Sequence, residues 1–306
     1  MKAALRRSPL RDDLDIHERV ELAAWTTLRI GGPADLMIRC HSVESASQVI
    51  DLMQSEGQAY FVLGAGSNVV LPDEGMRIPI VTLGGELSRW EIDFDGVVAG
   101  AAANLTQVCR SVARAGLTGI EALFGIPGSV GGAIVMNAGA YGVEIFDVLE
   151  WVEVVRAGTP PRMLGPDAIE HGYRTTSLGR DNQLVVRARL ELRPGELASI
   201  SGRIREVLTQ RKHRLPGQPS AGSIFKNPPG EHAGRLLEAA GCKGLRIGGA
   251  RVWDGHANVI VTTSRASARD VLDLSRKMKE LVREMTGIEL EPEVRFVDPF
   301  GERIEL

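Results

Sequence analysis

The sequence has few cysteines, no long apolar run and no excess of positive charge. Its three cysteines, Cys40, Cys109 and Cys242, form no C-x-x-C pair, which disfavours a disulfide framework and predicts a reduced cytoplasmic setting. No apolar run approaches the ~20 residues of a membrane-spanning helix, so we expect no membrane insertion. The net charge of −3 gives no general positive field for nucleic acid, although local basic groups could still bind a small anion.

Several catalytic and targeting signals are also missing. The six histidines show no metal-ligand spacing, so we expect no bound metal. No Gly-x-Ser-x-Gly elbow surrounds Ser223, and esterase chemistry is therefore unsupported. Residues 1–16 are charged and lack the apolar stretch of a signal peptide, so no secretion signal is expected there.

Glycine, by contrast, is abundant. It accounts for 35 of the 306 residues, about 11%, whereas its usual share is about 7%. Hydrophobic residues make up 43% of the chain and charged residues 25%, which is typical of a globular protein and not of a disordered one. The length exceeds the roughly 100–150 residues of one ordinary core, so two or three domains are expected.

The first half of the chain predicts alternating helices and strands after a charged, frayed lead-in over residues 1–20. Apolar residues at helical spacing follow Ser42 and Asn104, whose side chains can cap a helix N-terminus. Gly116 is suited to end the second of these helices. Residues 116–145 hold eight glycines and show little periodicity, which indicates a long functional loop.

The second half returns to regular patterns. Strands are predicted at 147–156 and 184–193, and Pro194-Gly195 then marks a domain boundary. A helix is predicted to begin at a capping box formed by Ser267 and Asp270 and to end at Gly287. The other elements predicted in this half are helices around 200–208 and 236–240, and strands at 257–261 and 288–297.

Two glycine clusters could bind a ligand. The cluster at 64–68 follows a strand and can present backbone N–H groups to an anion, but taken alone an ordinary tight turn is the favoured interpretation. It is not a Rossmann fingerprint, because position 69 is valine, and it is not a P-loop, because no Gly-Lys-Ser/Thr follows. The cluster at 125–132 suits backbone pressed against a flat or charged ligand, with crowded packing as the alternative. Together they suggest a ligand with two anionic groups, such as a pyrophosphate.

Three polar segments could carry chemistry. They contain Tyr173-Arg174, Ser223 after the basic run at 211–214, and the acidic stretch 289–295. Taken singly, each has a simpler explanation: a surface loop, a turn residue beside a solvated helix end, and a solvent-facing strand with one ion pair. Pro292 lacks a backbone N–H, which favours an edge or irregular strand in the last segment.

Taken together, these segments resemble the UDP-N-acetylenolpyruvoylglucosamine reductase family, flavoenzymes that complete UDP-N-acetylmuramate for bacterial cell-wall synthesis. The motifs occur in the family's order and cover most of residues 25–297, and their combination is highly specific although no single motif is. They are TLRIGGPAD (27–35), LGAGSN (63–68), GIPGSVGGA with MNAGAYG (125–142), GYR (172–174), AGSIFKNP (221–228), AGRLLEAAG (233–241) and EPEVRFV (291–297).

The resemblance implies an α+β protein with a vanillyl-alcohol-oxidase-type FAD-binding fold of two subdomains and a smaller α+β substrate-binding domain. It implies noncovalent FAD, NADPH as co-substrate, a UDP-sugar substrate and a cytoplasmic, monomeric enzyme without a nucleic-acid partner. The expected divisions are a lead-in at 1–20, the FAD domain at 21–198 with a split near 82, the substrate domain at 199–297, and a tail at 298–306 that returns to the FAD domain.

The resemblance also assigns cofactor residues. In the family, the two glycine-rich loops hold the FAD pyrophosphate and ribityl chain, which agrees with a ligand that has two anionic groups. The matching residues are Gly64, Ala65, Gly66, Ser67, Asn68, Gly125, Ile126, Pro127, Gly128, Ser129, Gly131, Gly132 and Ala133.

The implied reaction has two steps, in which NADPH reduces FAD and flavin N5 then delivers hydride to C3 of the enolpyruvyl ether. Arg174 matches the arginine that faces the substrate carboxylate as negative charge develops, and Glu293 matches the carboxylic acid at the same group. Ser223 matches the serine that protonates C2. The matching substrate-binding residues are Tyr173, Arg214 and Asn227. Lys226 and Arg214 are candidates to stabilise the serine alkoxide, and Glu289 and Glu291 could raise the pKa of Glu293 if they lie close to it.

The departures from the family pattern are small. Thr26 stands where members often have asparagine, and Thr-Thr-Ser follows Arg174 where an acidic residue is more usual. The stretch 172–200 lacks a tyrosine-bearing insertion, so we place the chain in the shorter subclass. A related FAD oxidase acting on another substrate is the alternative enzyme, but neither glycine cluster holds a His or Cys to tether the flavin. A flavin-free nucleotide-sugar-binding protein is disfavoured by the joint presence of Arg174, Ser223 and Glu293.

Overall fold

The computed structural model describes residues 10–179, 183–212 and 216–306. These residues group into two compact units. The first unit contains the described residues of Met1–His17, Met37–Ala65 and Ile80–Gln210. The second contains those of Glu18–Leu36, Gly66–Pro79 and Arg211–Leu306. The domain boundaries predicted from the sequence, including the return of the tail, stay predictions.

The described residues form six α-helices and 21 strands. The helices are α1 Val43–Ser55, α2 Leu105–Arg114, α3 Val130–Val135, α4 Leu197–Lys212, α5 Ala233–Ala239 and α6 Ala268–Thr286. Among the described residues, no helix has an apolar stretch that would span a lipid bilayer.

Most strands are short, and many contain only two residues. In chain order they are β1 Leu14–Glu21, β2 Pro33–Cys40, β3 Phe61–Val62, β4 Val69–Val70, β5 Ile80–Leu83, β6 Trp90–Ile92, β7 Gly96–Gly100, β8 Leu117–Thr118, β9 Gly139–Ala140, β10 Val143–Glu144, β11 Leu149–Arg156, β12 Thr159–Leu164, β13 His171–Gly172, β14 Thr175–Thr176, β15 Leu184–Glu191, β16 Arg193–Pro194, β17 Ser220–Ser223, β18 Arg246–Ile247, β19 Ala250–Val252, β20 Val259–Thr262 and β21 Arg295–Phe296.

The first unit is built around a five-stranded sheet of order β12-β11-β15-β7-β6, whose neighbouring strands run antiparallel. A four-stranded sheet of order β1-β2-β5-β3 has β2 and β3 parallel to β5. Helices α2 and α3 pack apolar residues into one core with the five-stranded sheet, among them Val108, Val112 and Ile134. The side chain of Asn104 accepts from the backbone N–H of Gln107 and so caps α2, as predicted.

The second unit contains an antiparallel sheet of order β17-β20-β19-β18. Buried residues of α5 and α6, including Leu237, Val271 and Met278, share a core with this sheet and with Leu28 and Phe296. Strand β21 pairs in parallel with β4, matching Arg295 to Val69. This pairing joins the EPEVRFV segment near the C-terminus to the residues that follow the first glycine cluster.

The boundaries of α6 confirm the predicted capping box. The Ser267 hydroxyl accepts from the N–H of Asp270 at 3.0 Å, and the Asp270 carboxylate accepts from the N–H of Ser267 at 3.1 Å. The helix ends at Gly287, whose φ of +74° is left-handed, a conformation that glycine adopts without a Cβ clash.

Three expectations about local structure were wrong. Residues 14–20 are not a frayed lead-in, because they belong to β1. The segment 116–145 is not one long loop, since it contains α3 and the hairpin β9–β10. The glycines in this segment do not all mark loop structure. Gly131 lies inside α3 and lets the helix approach Ala101 closely, since a Cβ at position 131 would lie 2.7 Å from the Cβ of Ala101. The predicted strand 288–297 is reduced to β21 and an isolated bridge between Pro292 and Phe225.

Replacing Ser267 with alanine should destabilise the protein, because the N–H of Asp270 would lose its acceptor at the start of a long buried helix. We expect a loss of about 1 kcal/mol, seen as a lower midpoint of urea unfolding. Ser201→Ala, at an exposed position inside α4, is the control and should change the midpoint little. Equal losses in the two variants would show that the cap contributes nothing specific.

Candidate active site

The two glycine clusters meet within the first unit. A Cβ placed on Gly64 would lie 3.1 Å from the Ser129 hydroxyl oxygen, so the first loop passes directly against the second. Ser129 is the N-cap of α3, and its hydroxyl accepts from the N–H of Gly132 at 3.3 Å. The two segments that were expected to share one ligand are therefore neighbours in this unit.

Both glycine clusters contain backbone donors without an acceptor. Among the described residues, the N–H groups of Gly64, Ala65, Gly125, Gly128 and Ser129 have no acceptor. Gly125 and Gly128 have φ values of +81° and +149°, which residues with a Cβ rarely adopt. Backbone N–H groups without an internal acceptor are suited to phosphate oxygens, so these residues fit the pyrophosphate of a dinucleotide cofactor.

The remaining part of the first cluster lies in the second unit and is tightly packed. The N–H of Thr27 donates to the carbonyl of Gly66 at 3.0 Å. Gly66 has φ +61°, and a Cβ there would lie 2.0 Å from the carbonyl oxygen of Trp25. Only glycine fits at this position, which explains why the TLRIGG and LGAGSN motifs occur together. Thr26, the departure from the family pattern, bonds back to the backbone of Ile30.

Arg174 is held in a strained turn of the first unit. It is the second central residue of the two-residue turn between β13 and β14, and its φ of +57° is unusual for a residue with a Cβ. Its guanidinium donates to the carbonyl of Asn137 at 3.3 Å and to that of Gly139 at 2.6 Å. The guanidinium carbon also lies 4.7 Å from the ring centroid of Tyr173, which is half-exposed. The cation is thus fixed, while the tyrosine ring remains accessible.

Ser223 and Glu293 are brought close together in the second unit, although 70 residues separate them. Ser223 ends β17, and the carbonyl of the next residue, Ile224, accepts from the N–H of Glu293 at 2.8 Å. Asn258 fixes the same segment, since its side chain both accepts from the N–H and donates to the carbonyl of Phe225. Sequence reasoning missed Asn258, because nothing near it in the chain marks it as a partner of this segment.

Asn68 connects the first glycine cluster to Glu293. Its amide donates to the carbonyl of Glu293 at 3.1 Å, and its own carbonyl accepts from the N–H of Arg295. Asn68, the last residue of the LGAGSN motif, is therefore bonded to the EPEVRFV motif both through its side chain and through its backbone carbonyl. This places a predicted cofactor residue beside a predicted catalytic residue within the second unit.

Cations surround the acidic segment. Glu291 lies 3.6 Å from the Lys226 ammonium, and Glu289 lies 3.3 Å from Lys279 and 3.5 Å from Arg283. Each of these two carboxylates therefore has a positive partner within the second unit. Their suggested influence on Glu293 stays a prediction.

For the other two predicted substrate-binding residues, Asn227 and Arg214, the structure gives less information. The side-chain oxygen of Asn227 accepts from the N–H of Ala233 at 3.0 Å, which satisfies the start of α5. Its contact with substrate stays a prediction. Arg214 lies outside the described residues. The first unit thus gathers Gly64, Ala65, the 125–133 cluster, Tyr173 and Arg174, and the second gathers Gly66–Asn68, Ser223, Asn227 and Glu293.

Comparison with known proteins agrees with this distribution. The FAD binding domain family matches residues 34–159, which contain both glycine clusters. The family described as UDP-N-acetylenolpyruvoylglucosamine reductase, C-terminal domain, matches residues 214–297, which contain Ser223 and Glu293. These two matches define the chain as an FAD-binding oxidoreductase of the vanillyl-alcohol-oxidase-type α+β fold, and the unpaired donors of its glycine-rich loops agree with that class.

Relatives that match most of the length of the chain identify its family. The chain is 39% identical to UDP-N-acetylenolpyruvoylglucosamine reductase 2 of Symbiobacterium thermophilum, covering 94% of both chains, and 41% identical to the Rubrobacter xylanophilus reductase, covering 90% of this chain and 93% of that one. The crystal structure of the Thermus caldophilus reductase superposes with a TM-score of 0.81 at 39% identity, over 92% of this chain and 99% of that one. The chain belongs to the UDP-N-acetylenolpyruvoylglucosamine reductase family, which uses FAD with NADPH as reductant.

Gly66→Ala should lower the FAD content of the purified protein, because its Cβ would force the loop away from the Trp25 carbonyl. Gly57→Ala is a matched control: Gly57 has nearly the same φ, +60°, but a Cβ there meets nothing within 4 Å. The control should lose about 1 kcal/mol of stability and keep its flavin.

The measurement is the flavin absorbance released by acid per mole of protein. Flavin that stays on the acid pellet would instead show a covalent tether. Equal, wild-type flavin contents in Gly66→Ala and Gly57→Ala would contradict the role of this loop in FAD binding.

Proposed function

We propose that this chain catalyses the NADPH-dependent reduction of UDP-N-acetylenolpyruvoylglucosamine to UDP-N-acetylmuramate. The observation that supports the proposal is the backbone hydrogen bond between Glu293 and Ile224, which holds Glu293 beside the residue that follows Ser223 in the second unit. The chemistry supplied by bound FAD is hydride transfer, from NADPH and then, through N5, to C3 of the enol ether. The backbone N–H groups of the two glycine clusters would hold its pyrophosphate.

Arg174 is proposed to stabilise charge on the substrate carboxylate. Addition of hydride at C3 moves negative charge toward that carboxylate as an enolate-like species. A planar guanidinium presents parallel N–H donors to a planar carboxylate, and a donor that is already oriented needs no reorganisation as the charge develops. The hydrogen bonds to the carbonyls of Asn137 and Gly139 supply that orientation.

Ser223 is proposed to donate the proton that C2 requires. A serine hydroxyl is a weak acid in water, but an enolate-like carbon is basic and cations near the hydroxyl stabilise the alkoxide left behind. Lys226, three residues along the chain, is one candidate, although its ammonium is shared with Glu291. Arg214 is the other candidate from the sequence.

Glu293 is proposed to act in its protonated form, as a hydrogen-bond donor to the substrate carboxylate. Its backbone is fixed from two sides, by the carbonyl of Ile224 and by the amide of Asn68, so its position relative to Ser223 is set by main-chain bonds. A donor at this point would share with Arg174 the task of stabilising the charge that develops on the carboxylate.

The setting of the reaction is also proposed. The three cysteines all lie among the described residues, where they are buried and form no disulfide. Burial, and to a smaller extent the nearby Asp13 carboxylate, raise the pKa of Cys40 to about 12, and burial raises that of Cys242 to about 11. Buried, protonated thiols suit a reducing cytoplasm. A monomeric state without a nucleic-acid or membrane partner stays a prediction.

Ser223→Ala should leave the reduction of FAD by NADPH nearly unchanged and slow reoxidation by the enolpyruvyl sugar by several orders of magnitude, because C2 would lack its proton donor. Anaerobic stopped-flow spectroscopy separates the two half-reactions. Ser220→Ala, on the same strand, is the control and should reoxidise at the wild-type rate. A wild-type rate of reoxidation in Ser223→Ala would refute the proton-donor role.

Glu293→Gln should be milder than Glu293→Ala, because an amide can still donate a hydrogen bond to the substrate carboxylate. The alanine variant should lose about 10²–10³ in the rate of the second half-reaction, the range for removal of one donor to a developing negative charge. The same stopped-flow assay checks both variants. Wild-type activity in both would reduce Glu293 to a surface charge.

A further inference from the structure

Backbone strain is concentrated around Arg174. The described residues include five non-glycine residues with positive φ. Two of these, Tyr141 and Arg174, lie in the turns of the hairpins β9–β10 and β13–β14, and a third, Asn137, lies two residues before β9. Such conformations cost free energy and persist only where the surrounding structure enforces them, typically at functional sites. The strained positions therefore indicate that the residues around the Arg174 side chain are held in place for a functional reason.

The hairpin β9–β10 aligns one carbonyl and one carboxylate with Arg174. Its two-residue turn, Tyr141-Gly142, has φ values of +53° and +81°, the signs of a type I′ turn. This turn sets Glu144 opposite Gly139 in the pairing. The Glu144 carboxylate lies 3.5 Å from the guanidinium, and the Gly139 carbonyl accepts from it at 2.6 Å. The arginine side chain is 16% exposed, so this ion pair is mostly shielded from water.

Asn137 links the two hairpins. Its side chain is fully buried, and its amide nitrogen donates to the Glu144 carboxylate at 2.6 Å and to the carbonyl of Gly172 at 3.1 Å. Its own carbonyl accepts from Arg174. One residue thus orients the carboxylate, anchors the strand that leads into the Tyr173-Arg174 turn, and contacts the guanidinium. These bonds make Asn137 and Glu144 a single support for the arginine.

We propose that Glu144 and Asn137 are positioning residues for the reduction, acting through Arg174. The Glu144 carboxylate fixes the guanidinium in one orientation, and Asn137 fixes the carboxylate. The inference rests on the proposed function in one respect, the role of Arg174 at the substrate carboxylate. A cation held in advance pays no ordering entropy when the substrate arrives, and a loose one must be ordered at each turnover.

A double-mutant cycle tests whether Glu144 acts through Arg174. Glu144→Gln should lower the rate of reoxidation by the UDP-sugar about tenfold, and in the Arg174→Ala background it should change that rate by less than about twofold. A merely structural carboxylate would cost the same in both backgrounds, and that result would overturn the proposal. Glu153→Gln is the control, because it removes a carboxylate paired with Arg187 at 2.7 Å in the same unit, and it should keep wild-type activity.

A pH profile tests Asn137. In Asn137→Asp, two carboxyl groups would meet where the amide now donates at 2.6 Å, and such a pair shares one proton. We expect reoxidation near the wild-type rate at low pH, where the new carboxylic acid donates as the amide does, and a loss as that proton leaves with rising pH. The wild type should lack this additional loss and show only the fall that deprotonation of Glu293 causes in both proteins. Parallel profiles for the two proteins would overturn the role of Asn137.

Nuclear magnetic resonance gives a readout that needs no turnover. With arginine labelled in the full-length holoenzyme, rotation about the Cζ–Nε bond of Arg174 should be slow in the wild type and faster in Glu144→Gln, with wild-type unfolding midpoints in both. Equal rotation rates would overturn the positioning role. If the wild-type enzyme does not react with the UDP-sugar, the proposed function fails by itself, and the rotation rates still decide whether Glu144 holds the arginine.

Discussion

The close approach of backbone to backbone at the glycine-rich loops is the constraint on which the rest of the structure depends. Gly66 lies against the carbonyl of Trp25, Gly131 against Ala101, and Gly64 against the Ser129 hydroxyl. At the first two positions a methyl group would displace a neighbour. The same two loops contain backbone donors without an acceptor, among them those of Gly64 and Ser129, and such donors suit a phosphorylated cofactor.

The structure also separates two ways of fixing a reactive group. In the first unit, Arg174 is fixed through its side chain, by two carbonyls and a carboxylate. In the second unit, Ser223 and Glu293 are fixed mainly through the backbone, by bonds that involve Ile224, Asn68 and the amide of Asn258. Side-chain support holds a flexible cation, whereas backbone support suffices for short side chains, because they have little conformational freedom to lose.

Much of the regular structure could be predicted from local signals. Ser42, Asn104 and Ser267 each cap a helix as expected, because a cap depends on residues three positions apart in the chain. Helix α3 could not be predicted in this way, since its glycines serve close packing and break the apolar periodicity. The family motifs predict Arg174, Ser223 and Glu293 as site residues, but the strained φ of Arg174 and the Ile224–Glu293 bond are tertiary features that no local pattern encodes.

The turn between β9 and β10 has a consequence for the length of the chain at this point. Successive side chains on a strand face opposite ways, so one residue added to or removed from the Tyr141-Gly142 connection would rotate the Glu144 carboxylate away from the guanidinium. A change of length would therefore harm this hairpin as much as the loss of the carboxylate itself. Sequence drift in homologous chains should accordingly spare the spacing from Asn137 to Glu144 even where the intervening side chains differ.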